Sequence, residues 1–208
     1  MARTVLKFGG TSVADLDRIA HVADVVAARA EKGGGLAVVV SAMAGQTNKL
    51  VEYARGAAGD ALQGEDFDDE YDVVVSSGEQ VTSGLLALAL RKRGLKARSW
   101  LGWQLAMKTN QSHGKARILG FDGNDLPGAV DTGEIAVIAG FQGITDDKRV
   151  ATLGSGGSDT SAVAVAAALG ATSCDIYTDV DGVYTTDPRI VTKAQRIEKI
   201  SPNFLIYA

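Results

Sequence analysis

The chain has 208 residues, of which 46% are hydrophobic and 22% are charged. This length and composition are typical of one large folded α/β domain or two small ones, and they argue against a disordered chain. A net charge of −4 without a basic stripe argues against nonspecific nucleic-acid binding, and no uncharged apolar run approaches the roughly 20 residues of a membrane span.

Short apolar segments alternate along the chain with segments of helical pattern. The predicted strands are residues 4–8, 36–40, 97–101, 134–139 and 174–178, and the predicted helices are residues 16–30, 83–93 and 158–169. Gly94 and Gly170 follow the last two helices in positions typical of C-caps. This β-α-β alternation predicts a mostly parallel sheet covered by helices, with ligands bound at the carboxyl ends of the strands.

The first predicted strand ends in Lys7-Phe8-Gly9-Gly10-Thr11-Ser12. The two glycines let the backbone approach a ligand, the lysine adds a positive charge, and the next helix presents its positive N-terminal end. The segment matches neither the P-loop nor the dinucleotide-binding fingerprint. It indicates an anion site, and a glycine-rich turn with an incidental lysine stays open as the alternative.

A second glycine-rich segment, Gly154-Ser155-Gly156-Gly157-Ser158-Asp159, opens the alanine-rich helix. Two such segments in one α/β domain indicate a phosphate site more strongly than one does. The second strand also leads into a small, hydroxyl-rich segment at 41–48. Glu79, in Ser76-Ser77-Gly78-Glu79-Gln80, is predicted at the start of a helix, either as a partner of the helix dipole or as a ligand for a substrate ammonium group.

Other reactive residues are assigned structural roles. His21 is expected on a helix surface, and His113 lies in a polar loop where an approach to substrate stays open as the alternative. Cys174 lies in an apolar run and is expected to be a buried structural thiol. The acidic segment 65–72 is expected to be a solvated loop or the start of a helix, and no Cys and His spacing typical of a metal site is present.

Five motifs in order resemble aspartate kinase, of the amino acid kinase family. They are KFGGTSV at 7–13, SSGEQ at 76–80, HGKARI at 113–118, GGSDT at 156–160 and YTDVDGVYTTDPR at 177–189. The resemblance implies a kinase domain over residues 1–201, folded as a three-layer αβα sandwich with a mostly parallel central sheet. It implies ATP- and Mg²⁺-dependent phosphorylation of L-aspartate to 4-phospho-L-aspartate, the first step of lysine, threonine and methionine biosynthesis.

The resemblance also implies residue roles. Lys7 and Asp159 are the implied catalytic residues, with Lys7 holding the transferring phosphate and Asp159 orienting a lysine. The implied ATP contacts are Lys7, Phe8, Gly9, Gly10, Ser12, Ser41, Ser158, Tyr177, Thr178, Asp179, Tyr184 and Arg189. The implied aspartate contacts are Thr47, Glu79, Ser155, Gly156, Gly157 and Ser158, with Glu79 paired to the α-ammonium group. No metal-ligating residue is assigned.

Two departures from the family pattern bear on activity. Ser155 stands where the family has an arginine that binds the substrate α-carboxylate, and residues 202–208 differ from the family sequence. A second ATP-binding lysine and the regulatory ACT domains are expected to be absent, so slow turnover is expected. A nucleotide-binding remnant with little catalysis and a kinase for glutamate or acetylglutamate both stay open.

The expected setting is that of a metabolic enzyme. The N-terminus shows no signal-peptide pattern, so a cytoplasmic location is expected by default. The expected partner is the small-molecule substrate L-aspartate, without nucleic acid or membrane, and assembly as a homo-oligomer stays open.

Overall fold

The computed structural model describes residues 1–59, 62, 68–123 and 125–178. The strands in this part of the chain are β1 (Arg3–Phe8), β2 (Gly35–Val40), β3 (Ala97–Trp100), β4 (Met107–Thr109), β5 (Ile118–Phe121), β6 (Ile135–Ala139), β7 (Gln142–Ile144), β8 (Val150–Thr152) and β9 (Ser173–Tyr177). The helices are α1 (Leu16–Ala30), α2 (Gln46–Ala58), α3 (Asp68–Lys92), α4 (Leu126–Asp131) and α5 (Gly157–Leu169), with a 3-10 turn at Gly10–Val13.

The central sheet has five parallel strands in the order β3-β6-β2-β1-β9. Strands β2 and β6 are buried along their whole length, which explains their continuously apolar sequences. A second sheet of mixed direction, in the order β5-β4-β7-β8, lies beside the carboxyl end of β6. All five predicted strands are present within one or two residues of their expected limits.

Helices cover both faces of the central sheet. Because successive side chains of a strand point to opposite faces, Leu6 and Val38 pack on α1 and α3, whereas Val5 and Val39 pack on α4 and α5. One apolar core therefore lies on each face of the sheet, between the strands and the helices. The result is a three-layer αβα sandwich. The predicted fold class is therefore confirmed.

Helix α3 departs from the sequence prediction, because it begins at Asp68 rather than at residue 83. Glu79 therefore lies in the middle of a helix and not at its first turn, so its predicted role as a dipole partner is wrong. The additional turns bury Asp72, Ser76 and Thr82 along with Val75. Since several of the buried positions are polar, the apolar periodicity that marks a helix is missing there.

Two single-residue expectations also need correction. Asp72, at the end of the acidic segment expected to be solvated, is fully buried. Cys174 is only partly buried at the edge of the α5 core. Burial, together with the nearby carboxylates of Asp175 and Asp159, raises the pKa of its thiol to about 11, in keeping with a structural role.

Helix α3 also meets the length and hydropathy of a membrane span, which no other helix in the described residues does. Half of its most apolar 18-residue window is buried inside the fold, and core helices of water-exposed domains meet the same criteria. Glu79 interrupts the apolar sequence of this helix.

Candidate functional site

A cavity of about 490 Å³ lies at the carboxyl ends of β1 and β2, as expected for a parallel sheet. The described residues that line it are Lys7, Gly10, Ser41, Ala42, Met43, Ala44, Gly45, Thr47, Tyr71, Glu79, Gly114, Phe141, Thr152, Gly154, Ser155, Gly156, Gly157, Ser158 and Asp159. The volume lies in the range of roughly 300–1,000 Å³ that is typical of small-molecule sites.

Lys7 and Asp159 meet on one side of the cavity. Lys7 is the penultimate residue of β1 and is 6% exposed, and its Nζ lies 2.6 Å from Asp159 Oδ1. Asp159 belongs to the first turn of α5, and its side chain is 43% exposed. The structure thus brings together the two residues to which the family resemblance assigns catalysis. The lysine amine lies beside the first turn of α5.

Two glycine turns let backbone segments approach each other closely around this pair. A side chain at Gly10 would place its Cβ 2.9 Å from the carbonyl oxygen of Ala42 in the loop after β2. At Gly157 the Cβ would lie 2.7 Å from the Phe141 ring. Gly156 caps α5 with a left-handed φ of 72° and no side-chain hydrogen bond, so the positive end of α5 opens to the cavity.

Glu79 also lines the cavity and is 4% exposed. Its Oε1 accepts a hydrogen bond of 3.0 Å from the Ala42 N–H, whereas its buried Oε2 has no partner in the described part of the chain. Burial raises the pKa of Glu79 to about 7, although the Ala42 N–H acts in the opposite direction. A buried carboxylate with one unpaired oxygen is a site prepared for a cationic group.

Gly78 explains how α3 comes close enough for this contact. A Cβ at Gly78 would lie 2.8 Å from the Ala42 side chain, so a larger residue there would push the helix away from the loop. The SSGEQ motif therefore supplies both the Glu79 carboxylate and the glycine that lets α3 pack closely against Ala42.

The charges in the cavity are unbalanced. Lys7 is the sole cationic side chain among the described residues that line it, against the carboxylates of Glu79 and Asp159. Ser155 lies exposed on the glycine-rich loop and supplies only a hydroxyl group to the cavity. Apart from Lys7, no described side chain that lines the cavity can therefore pair with a carboxylate.

The other predicted site residues divide into three sets. Ser41, Thr47, Ser158 and the segment from Ser155 to Gly157 line the cavity. Phe8, Gly9, Ser12, Tyr177 and Thr178 do not line it, and Asp179, Tyr184 and Arg189 lie outside the described residues.

Phe8 and Tyr177 form a packed pair beside the cavity. The Phe8 side chain is buried in the apolar core and stacks on the Tyr177 ring at 4.6 Å, while the Gly9 N–H donates to the Tyr177 carbonyl. The side chain of Phe8 is therefore committed to packing, which leaves only its backbone for a ligand.

Several lining residues were not anticipated from sequence. Tyr71 and Phe141 line the cavity although neither belongs to a segment that the sequence predicted to bind a ligand, whereas Met43 lies in the hydroxyl-rich segment 41–48. Phe141 has a left-handed φ of 67°, which no sequence pattern indicates for a phenylalanine. Its position directly after β6 was the available signal, because that loop also leaves the carboxyl edge of the sheet.

The two histidines take the structural roles expected of them. His21 is exposed on α1. The Nδ1 of His113 lies 2.9 Å from the buried Asp72 carboxylate rather than in the cavity. Within the described ranges, no group of three or more His, Cys, Asp or Glu residues is placed to hold a metal ion.

The sequence model of the amino acid kinase family matches residues 2–206. The chain belongs to this family. It is 51% identical over 201 residues to an aspartate kinase of Pseudomonas fluorescens, an alignment that covers 97% of this chain and 48% of that protein. The chain spans about half the length of the curated relatives that it matches.

Solved structures agree with this assignment. E. coli aspartokinase III in complex with aspartate and ADP superimposes with a TM-score of 0.75 at 33% identity, covering 93% of this chain and 53% of that one. An aspartate kinase from Synechocystis gives a TM-score of 0.73 at 43% identity, covering 92% of this chain and 31% of that one. The resemblance drawn from the five motifs is confirmed.

Proposed function

We propose that this chain transfers the γ-phosphate of ATP to the side-chain carboxylate of L-aspartate. The observation that carries the proposal is that one cavity contains both a site for an anion and a site for a cation. Lys7 and the N-terminus of α5 form an anion site, and the unpaired buried oxygen of Glu79 forms a cation site. The relatives named aspartate kinase and the E. coli complex with aspartate and ADP support the same substrates.

The anion side suits a nucleotide phosphate. Lys7 supplies a full positive charge, and the N-terminus of α5 offers backbone N–H groups beside Gly156, where an added Cβ would meet nothing within 4 Å. Asp159 holds the Lys7 amine in one position through the 2.6 Å ion pair. A cation fixed in advance stabilises developing charge better than one that must reorient.

The cation side suits an α-amino acid. An ammonium group beside Oε2 of Glu79 would complete the hydrogen bonding of a buried carboxylate and favour its ionised form. N-acetylglutamate has no such group, because its nitrogen is an amide, and it would leave Oε2 unpaired. Glu79 therefore favours a free amino acid as the phosphate acceptor.

The reaction requires positioning more than acid–base chemistry. The attacking carboxylate of aspartate is already ionised near neutral pH, so no general base is needed. Its approach to the phosphate is opposed by repulsion between two anions, which Lys7 and the α5 N-terminus reduce. Mg²⁺ bound with ATP would supply further positive charge to the phosphate oxygens, and the partly exposed Asp159 carboxylate beside Lys7 would be the oxygen ligand that this part of the cavity offers it.

An assay of ADP release with L-aspartate, L-glutamate and N-acetylglutamate as acceptors tests the proposal. We expect ATP- and Mg²⁺-dependent release above the acceptor-free background with aspartate and little with N-acetylglutamate. Lys7→Met, which keeps the length of the side chain without its charge, should lower the aspartate-dependent rate by about 10²–10³-fold. Preference for either other acceptor, or nucleotide binding without turnover, would overturn the proposal in favour of the corresponding alternative.

The biological setting follows from the reaction. We propose a cytoplasmic role at the first step of lysine, threonine and methionine synthesis, in line with the relatives named aspartate kinase. Assembly as a homo-oligomer remains a prediction.

A further inference from the structure

Asp72 is a buried carboxylate that the proposed reaction does not use. It lies in the first half of α3 and is fully excluded from solvent. Oδ2 accepts a 2.9 Å hydrogen bond from the Thr152 N–H, and Oδ1 accepts one of 2.5 Å from the Thr152 hydroxyl. The Gly114 N–H lies 3.1 Å from both oxygens, and His113 Nδ1 lies 2.9 Å from Oδ2.

These contacts join three segments that are distant in sequence. Asp72 connects α3 to the loop that contains His113 and Gly114, and to the last residue of β8. The loop and the strand are also joined directly, because the Ala116 N–H donates 2.8 Å to the Thr152 carbonyl. One side chain therefore fixes both segments on which the glycine-rich loop rests.

The glycine-rich loop begins immediately after this anchor. Gly154 follows Thr152 by two residues, and a Cβ added to Gly154 would lie 3.3 Å from the Gly114 carbonyl oxygen. Ser155, which lines the cavity and which the family resemblance makes an aspartate contact, comes next. A shift of Thr152 or Gly114 would accordingly move Ser155.

Asp72 and Glu79 are seven residues apart on α3, which is two turns and a rise of about 10 Å. Both residues are buried, so they share the inner face of the same helix. One rigid element thus carries the proposed ammonium ligand at one position and the anchor of the Ser155 loop at the other. The helix sets the separation between them.

We propose that Asp72 is a positioning residue for the acceptor amino acid. Through Thr152 and Gly114 it holds the loop from Leu153 to Gly156 at a fixed place relative to Glu79. The identity of the ligand rests on the proposed function, whereas the anchoring of the loop by Asp72 does not. Asp72 itself touches neither substrate, since it does not line the cavity.

The phosphate side is held by other contacts. The ion pair joins Lys7 on β1 to Asp159 on α5. Helix α5 is in turn joined to the loop after β6, because the Phe141 N–H donates a hydrogen bond to Ser161 Oγ. Neither contact involves Asp72. Gly156 belongs both to this loop and to the N-terminus of α5, but the Lys7 amine keeps its own contact with Asp159, so loss of Asp72 should raise the Kd for aspartate more than the Kd for ATP-Mg.

Asp72→Asn tests this inference, because the amide keeps the shape of the carboxylate but turns an N–H₂ group toward donors. We expect the Kd and KM for aspartate to rise at least about tenfold and the Kd for ATP-Mg to stay within about twofold. Thr152→Val is a milder variant that removes only the hydroxyl bond and should raise the aspartate KM less. The two changes should be non-additive when combined, because both break the same contact.

Ser83→Ala is the matched control. Ser83 is also fully buried on α3, but its hydroxyl bonds to the Gln80 carbonyl within the helix and does not reach the loop. This variant should lower the melting temperature without raising the aspartate KM. A purely structural role for Asp72 would instead make the KM values of all three variants follow their melting temperatures.

Amide hydrogen exchange separates this inference from the proposed function. In Asp72→Asn, or in Thr152→Val if the first variant does not fold, the hydrogen-bonded amides of Gly114 and of residues 152 and 153 should exchange at least about tenfold faster. The α5 amides from Ala162 to Leu169 should be unchanged. A folded variant whose loop amides keep wild-type protection overturns the positioning role, whether or not aspartate is the substrate. Faster loop exchange in a chain that does not bind aspartate would contradict only the proposed function.

Discussion

Replacing Glu79 by glutamine should remove the loss of stability that the ligand-free protein undergoes as the pH rises, and should weaken aspartate binding. Burial raises the pKa of Glu79 from 4.5 to about 7 in the folded state. Between these values the folded protein keeps a proton that the unfolded chain has released, so stability falls as the pH rises through this window. Above about pH 7 the loss is complete, and below about pH 4.5 it is absent.

The magnitude follows from the width of the window. Each unit of pKa difference is worth about 1.4 kcal/mol, so ionised Glu79 destabilises the folded state by about 3 kcal/mol at pH 8. At pH 5 most of this effect has disappeared, and less than about 1 kcal/mol remains. Glutamine buries an unpaired amide N–H₂ group in place of Oε2, which costs stability at every pH and cancels in the comparison between the two pH values. The stability of Glu79→Gln relative to wild type should therefore rise by about 2–3 kcal/mol from pH 5 to pH 8.

Urea unfolding of the ligand-free protein at several pH values between about 5 and 8 measures this difference. Glu52→Gln, on the exposed face of α2, corrects for the change in net charge. Aspartate affinity of Glu79→Gln at pH 8 should fall by about tenfold or more, because a charge-assisted bond is lost. A stability difference that does not change with pH, or one that Glu52→Gln reproduces, would refute the reasoning.

Three further outcomes are expected. The Kd for aspartate in the wild-type protein should rise about tenfold per unit as the pH falls below about 7, because Glu79 must lose its proton to pair with the ammonium group; a flat calorimetric profile from pH 6 to 8 would count against that pairing. Ser155→Arg should tighten aspartate binding by about 1.5–3 kcal/mol, roughly 10- to 150-fold, and leave ATP-Mg affinity unchanged, and equal effects on both ligands in a titration would argue against an acceptor-side location. Gly157→Ala should cost about 1–3 kcal/mol in denaturant unfolding, since its Cβ would lie 2.7 Å from Phe141 and 2.9 Å from Leu153, and a neutral substitution would show that the Phe141 ring yields readily.

The central sheet could be predicted because its strands are buried on both faces. Strands β2 and β6 are continuously apolar in sequence and buried in the fold. The helical pattern of α5 likewise ends at Gly170, which is its C-cap in the structure. The second sheet was missed for the opposite reason. Its strands have only three or four residues each, too few for a period-two pattern to stand out.

The site could be predicted where its residues lie together in short sequence motifs. Lys7 and Asp159 belong to short glycine-rich segments that indicate an anion site, and the structure places the two side chains in contact. Asp72 could not be predicted, because its burial depends on Gly114 and Thr152, which are 42 and 80 residues away. From sequence alone an aspartate in an acidic segment is expected to be solvated, and only tertiary partners reverse that expectation.

Direct trapping of the product tests the central claim that this cavity phosphorylates aspartate. The protein is incubated with ATP, Mg²⁺, L-aspartate and hydroxylamine, which converts an acyl phosphate to a stable hydroxamate identifiable by mass. We expect aspartate hydroxamate to accumulate with time in proportion to ADP, and to fall by about 10²–10³-fold in Lys7→Met. ADP formation without hydroxamate, or equal hydroxamate from Lys7→Met, would contradict the account.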